Sequence, residues 1–212
     1  MDIIRALQAL TTHPDELRHL LQIGGLMLLA LIVYAENGLF FGFFLPGDYL
    51  LFAAGVLCSN NTFGYSPFVV STTVVISAIL GNITGYFFGK YVGKNLFRRP
   101  NSMFFKQSHL VKTRLYFMKF GGNTLILSKF LPYVRTFAPI LAGTIEMNFP
   151  KFIRYSIIGS LLWGYGLVLI GAFLGTQFPS IFDYLHYIIL GFLVVTTSAV
   201  ISGFFRVKKK TT

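Results

Sequence analysis

Charge is scarce in this sequence. Only 12% of its 212 residues are Asp, Glu, Lys or Arg, about half the roughly 25% of an average soluble protein. Acids are scarcer still, 7 against 18 Lys+Arg. With 54% apolar and 17% aromatic residues, this shortage excludes a disordered chain and leaves a soluble domain only an unusually apolar core. The placement of the charges excludes that too. None lies between Tyr49 and Gly89, between Tyr155 and Phe182, or between Tyr184 and Phe205. Each stretch reaches or exceeds the ~20 residues that cross ~30 Å of hydrocarbon as a helix. Cysteine is nearly absent: the single Cys58 allows no internal disulfide and says nothing of redox compartment. The four histidines (His13, His19, His109 and His186) are scattered, without metal-ligand spacing, so neither metal nor cofactor is expected. No signal peptide is expected at the N-terminus, because its first charged stretch is mixed, the apolar run starts only near Leu20 and no small-x-small cleavage site follows.

What is present is an integral, all-α membrane protein of one domain over 1–212. Its first half runs from about 20 to 93. A basic amphipathic connector follows over about 95–121, and a second half over about 122–206. The net charge of +11 sits at the ends of apolar segments. A nucleic-acid binder would carry it on polar elements, so no nucleic-acid partner is expected. Lys90, Lys94, Arg98, Arg99, Lys106, Lys112, Arg114 and Lys119 fill the central connection without an acid among them, and Arg206 and Lys208–Lys210 close the chain. By the positive-inside bias both regions are cytoplasmic. Phe104, Val111, Leu115 and Met118 fall on one helical face of the connector, as in a helix lying on the membrane surface.

The two halves resemble each other. Phe44-Leu45-Pro46 followed by Ala54-Gly55 echoes Phe130-Leu131-Pro132 followed by Ala142-Gly143. Each segment is broken, at Pro46-Gly47 in the first and at Pro132 and Pro139 in the second. Each is followed by a Pro and a Gly-rich apolar span, from Pro67 to about Gly89 and from Pro150 to about Gly175. Gly81, Gly85, Gly89 and Gly93 recur at helical spacing, as do Gly171 and Gly175, the small-xxx-small pattern of closely packed membrane helices. If residues 124–147 crossed fully, Lys151, Arg154 and the basic tail would be outside. Letting 124–147 and 37–57 each enter and leave on one side, from opposite faces, satisfies the charge bias. The expected architecture is about four full spans plus two re-entrant broken-helix hairpins in an inverted-topology repeat, with both termini cytoplasmic. Broken helices in corresponding places of two halves point to a transport site near the midplane.

Four charges lie inside apolar segments: Glu36, Asp48, Lys129 and Arg135. On insertion scales each costs roughly 2.5–3.5 kcal/mol at the bilayer centre, so they must face a polar cavity and pair. The acids of the first half suit proton coupling and the bases of the second an anionic headgroup, Arg135 offering a planar fork to phosphate and Lys129 a compact charge. Fixed salt bridges that orient the hairpins are the other reading, and the two are compatible. Glu146, Lys151, Arg154 and Asp183 belong at interfaces, and Trp163 is read as packing.

At these residues the chain resembles the DedA family, also called the SNARE-associated or VTT-domain family. The resemblance is carried by Glu36, by Phe44-Leu45-Pro46-Gly47-Asp48, and by the run Lys129-Phe130-Leu131-Pro132-Tyr133-Val134-Arg135-Thr136-Phe137-Ala138-Pro139-Ile140-Leu141-Ala142-Gly143, continuing through Met147, Phe152, Gly159 and Trp163. Lys129 stands where the family usually has Arg, and Ser156 where Asn is common. The resemblance implies a translocase of phosphate-bearing lipids, such as undecaprenyl phosphate or a phospholipid. It implies dependence on proton motive force and, for a chain this small, a bacterial cytoplasmic (inner) membrane. It also implies that the two acids and two bases are the functional positions. A proton- or cation-coupled antiporter of small solutes fits the same charges; a lateral, lipid-accessible opening would favour the lipid. A lipid phosphatase fits poorly, since no nucleophile–base pair is evident, and no enzymatic activity is expected. Anionic membrane lipids and protons are the expected partners, and homo-oligomerisation is left open.

Overall fold

The computed structural model describes residues 14–39, 47–59, 63–93 and 121–178. The Phe44–Pro46 segment, most of the basic connector, the expected last span Tyr184–Phe205 and the basic tail lie outside the described residues. Within them the chain is helical, without strands.

Helix α1 spans Pro14–Gly38 and is interrupted at Gly25, whose φ of 54° and ψ of −157° leave the helical region. A positive φ is cheap only for glycine, so the break falls there, at the start of the apolar stretch Gly24–Gly38. Helix α2 is Gly47–Ser59. Helix α3, Pro67–Phe88, starts where the Ser66 hydroxyl accepts from the Val69 amide and proline takes the first turn, a position where its missing N–H costs nothing. It runs on into a π-helical turn, Gly89–Gly93. Helix α4, Asn123–Ser128, is followed after a short turn by helix α5, Pro132–Thr144. Helix α6 is Phe149–Gln177, capped by the Asn148 side chain on the Lys151 amide.

Two helices are long and apolar enough to cross a membrane: Pro67–Val92 with 26 residues and Phe149–Gln177 with 29. At 1.5 Å per residue they reach ~39 and ~43 Å. Both coincide with the spans expected from the sequence. Helices α2 and α5 have 13 residues each, or ~20 Å, too short to cross. The proline expectation needs one correction. Pro139 was expected as a hairpin break but lies inside α5, which continues through it. The break sits between Ser128 and Pro132 instead, where Leu131 is extended and Pro132 opens α5.

The short helices pack on the long helix of the opposite half through paired glycines. A Cβ on Gly55 of α2 would strike the Val168 carbonyl of α6, and one on Gly171 of α6 would strike the Phe52 carbonyl of α2. The same reciprocity joins α5 to α3: Gly143 abuts the Tyr86 carbonyl, and Gly89 abuts the Ile140 carbonyl. Gly81 meets α1, a Cβ there lying 2.7 Å from the Tyr34 carbonyl oxygen. The glycine spacing seen in the sequence is therefore a set of backbone-to-backbone approaches, the close contact that small residues permit in membranes. Leu29, Val33, Leu50, Leu51, Val70 and Val74 fill the main core between α1, α2 and α3. Outward-facing Phe68, Ile76, Leu162, Ile170 and Phe173 are left exposed, as expected for helices solvated by hydrocarbon.

Candidate functional site

The four embedded charges converge. Glu36 lies in the last turn of α1, Asp48 in the first turn of α2, Lys129 just after α4, and Arg135 in the first turn of α5. The Arg135 guanidinium spreads its fork over two helices. Nη2 donates to Glu36 Oε1 and Nη1 donates to Asp48 Oδ1. Glu36 is 0% exposed and Arg135 3%, so this is a buried triad of two acids on one cation. Gly47 makes it sterically possible: a Cβ there would collide with Glu36 Oε2. The carboxylate thus rests against the start of α2, where unsatisfied amides favour negative charge. Thr136 Oγ1 donates to the Glu36 carbonyl at 3.1 Å, tying α5 to the end of α1. Glu36 Oε2 and Arg135 Nε are buried without a hydrogen-bond partner among the described residues.

Lys129 is held differently. Its ammonium donates to Asn37 Oδ1 at 2.7 Å and to Asn82 Oδ1 at 3.0 Å. The amides are themselves fixed. Asn37 Nδ2 donates to the Val33 carbonyl at 2.8 Å. Asn82 Nδ2 donates to Ser156 Oγ at 2.7 Å and Ser160 Oγ at 3.3 Å. Gly159, between those serines, lets the Lys129 stem approach, a Cβ there lying 3.2 Å from Lys129 Cγ. Two of the three ammonium donors are thus taken by neutral oxygens whose orientation is locked. Burying a charge is costly, and these two fixed acceptors offset part of that cost.

Trp163, at the midpoint of α6, connects the two arrangements. Its indole Nε1 donates to Asp48 Oδ1 at 2.7 Å. Its ring lies 5.2 Å from the Arg135 guanidinium and 5.7 Å from Lys129 Nζ, within cation–π range. Asp48, Lys129 and Trp163 form the polar floor of a cleft of about 190 Å³, whose remaining lining is Phe130, Leu162, Gly166, Leu167 and Ile170. Phe130, Leu162 and Ile170 are more than half exposed, so the cleft opens sideways from α6.

All four charges expected from the sequence are therefore in one site, but not as two equivalent pairs. Arg135 takes both acids, and Lys129 takes two amides and lines the cleft. Trp163 packs in the core and also donates to Asp48, a role its packing reading missed. Asn37, Asn82 and Ser160 were missed altogether, and Ser156 was noted only as a departure. Asn82 is the lone amide of α3, and Ser156 and Ser160 are four residues apart, so a polar residue embedded in a charge-free span was the available signal. Lys151 and Arg154, expected at an interface, are exposed at the start of α6. Among the described residues no group of three or more His, Cys, Asp or Glu is placed to hold a metal ion.

Comparison with known proteins adds to this geometry. The VTT domain model matches residues 45–173. Protein DedA of Escherichia coli (strain K12) is 42% identical over 169 residues, covering 80% of this chain and 77% of that protein. An uncharacterised membrane protein of Mycobacterium leprae is 41% identical over 165 residues, 78% of this chain and 72% of its own. One from Mycobacterium tuberculosis is 37% identical over 166 residues, with the same shares. No solved structure matches the chain.

Proposed function

Given that this chain belongs to the DedA family of VTT-domain membrane proteins, we propose that it is a lipid translocase. It moves a phosphate-bearing lipid, such as undecaprenyl phosphate or a phospholipid, between the leaflets of the cytoplasmic membrane with protons as the coupling ion. The observation that carries this reading is the cleft. Its floor is charged, its walls are apolar, and its exposed wall residues are Leu162 and Ile170 on a membrane-length helix and Phe130 in the turn between α4 and α5. A small-solute antiporter needs a water-lined path, whereas a lipid needs a polar seat for its head and an apolar side door.

The mechanism we propose is competition for Arg135. Its fork is occupied by Glu36 and Asp48. A phosphate can take the same fork bidentately, but it gains access only when the acids let go. Protonation of Asp48, which contributes to the cleft floor, and then of Glu36 removes their charge and frees the guanidinium. Lys129 supplies the second positive charge for the headgroup. Release of the protons on the other side restores the triad and expels the anion, so proton and lipid movements are linked. The reciprocal glycine packing of α2 on α6 and α5 on α3 supports an inverted repeat with two re-entrant hairpins. In that arrangement the triad sits at the repeat interface, where transporter sites lie, and both termini are cytoplasmic.

The test is reconstitution into vesicles with a labelled polyprenyl phosphate or phospholipid in one leaflet. Leaflet exchange should accelerate with the protein, respond to an imposed pH gradient, and be lost in Asp48→Asn and in Arg135→Ala. Full activity of both variants would sink the assigned roles.

A further inference from the structure

We infer that the lateral cleft seats one hydrocarbon chain of a bilayer lipid beside Trp163, and that Gly166 sets its width; this rests on the lipid reading above. Small-molecule sites usually measure about 300–1,000 Å³ and enclose most of their ligand. This cleft, at about 190 Å³, is smaller and open at the side, so it takes part of a ligand whose remainder lies outside. The exposed rim of Phe130, Leu162 and Ile170 sets the chemistry of that remainder. Leu162 and Ile170 lie well inside a 29-residue helix long and apolar enough to cross a membrane, where a spanning helix is surrounded by hydrocarbon.

Gly166 is unlike the other glycines of α6. Gly159, Gly164, Gly171 and Gly175 each face another helix, so that a Cβ would press on protein atoms. A Cβ on Gly166 meets nothing within 4 Å. No packing constraint accounts for glycine there, and its Cβ space is part of the cleft. Leu162, Gly166 and Ile170 follow each other at four-residue intervals along one face of α6. With the middle side chain missing, they make a groove between two apolar shoulders. Its inner end is the indole of Trp163, next to the Lys129 ammonium that would meet the phosphate.

Trp163 is the only tryptophan in the chain and is 2% exposed, so it reports on this cleft directly. Full-length protein is reconstituted in phosphatidylglycerol vesicles whose acyl chains carry bromine near the headgroup end, and in unbrominated ones. Bromine quenches indole fluorescence at near contact. Trp163 should be quenched in the brominated vesicles. Gly166→Leu should lose most of that quenching, and Gly166→Ala should fall between. The open space at Gly166 predicts that both variants fold, with thermal midpoints no lower than that of the wild type, since glycine in a helix interior costs about 1 kcal/mol relative to Ala. Should Gly166→Leu fail to fold, the order of wild type and Gly166→Ala decides. An unquenched wild type, or quenching that is the same in the variants, overturns the inference. Transport is scored in the same vesicles. A quenched protein that moves no lipid defeats the translocase reading and leaves the chain seat standing. A protein that moves lipid with Trp163 unquenched does the reverse.

Discussion

Removing the Arg135 guanidinium should expose how much of the fold depends on it. Arg135→Met keeps most of the stem and deletes the charge, leaving Glu36 and Asp48 facing the space between them. Deleting one partner of a buried ion pair costs about 3–5 kcal/mol, because the other charge is stranded. Asp48 is partly cushioned: its side chain is 13% exposed and it keeps the Trp163 N–H. Glu36 is not, being 0% exposed with Oε2 already lacking a donor. The cost is therefore set by Glu36. For a chain of this size 1 kcal/mol moves the thermal midpoint by about 2–4 °C, so the expected drop is about 6–20 °C. Glu36→Gln alone leaves an acceptor for the guanidinium and leaves Asp48 to balance it. The expected loss is about 1–3 kcal/mol, that of a weakened buried hydrogen bond. In the double variant no charge is stranded at position 36, so the losses should fall short of additive by about 0.5–3 kcal/mol. Heating purified protein in detergent and measuring the folded fraction by size exclusion gives all four midpoints. An Arg135→Met midpoint within about 2 °C of wild type, equivalent to under 1 kcal/mol, or strictly additive losses, would refute the triad as the tie between α1, α2 and α5.

Asn82→Leu should destabilise the chain by about 1.5–3 kcal/mol, because it removes one of the two oxygens on the Lys129 ammonium. Asn82→Asp, which restores an acceptor, should recover part of that loss in the same heating assay. Glu146 has a φ of 55° in the turn that ends α5. There the Glu146 amide bonds to Gly143 and the Met147 amide to Ala142, the pattern that favours glycine at the left-handed position. Glu146→Gly should therefore be more stable than Glu146→Ala by about 1 kcal/mol, since both variants lose the same side-chain interactions and the left-handed conformation costs an L-residue roughly 1–2 kcal/mol. Equal midpoints for the two variants would refute that backbone cost.

Several features were legible from composition and spacing because they depend on local chemistry. A helix in hydrocarbon must satisfy its own backbone and be apolar over its length, so Pro67–Val92 and Phe149–Gln177 could be placed within a few residues. A charge inside such a segment is conspicuous for the same reason, and Glu36, Asp48, Lys129 and Arg135 needed only to be picked out against their neighbours. Glycine periodicity told that α3 and α6 are approached closely, because only close backbones make glycine useful there. Pro139 misled, since a proline in a helix signals a break locally, yet α5 runs through it with Pro139 packed at Gly85.

The partnerships belong to tertiary structure. Arg135 meets Glu36 and Asp48 across separations of 99 and 87 residues, and Asp48 meets Trp163 across 115. Nothing local selects Arg135 over Lys129 as the partner of both acids. That choice follows from where the glycine contacts let the helices come to rest. Gly47 lets Glu36 reach the start of α2, while Gly159 lets Lys129 pass to Asn37 and Asn82. Hydrocarbon penalises charge wherever it occurs, so composition and spacing are enough to establish a membrane protein with four costly charges. Only the packed helices decided which charge answers which, because the strength of a buried pair depends on ångström-scale approach.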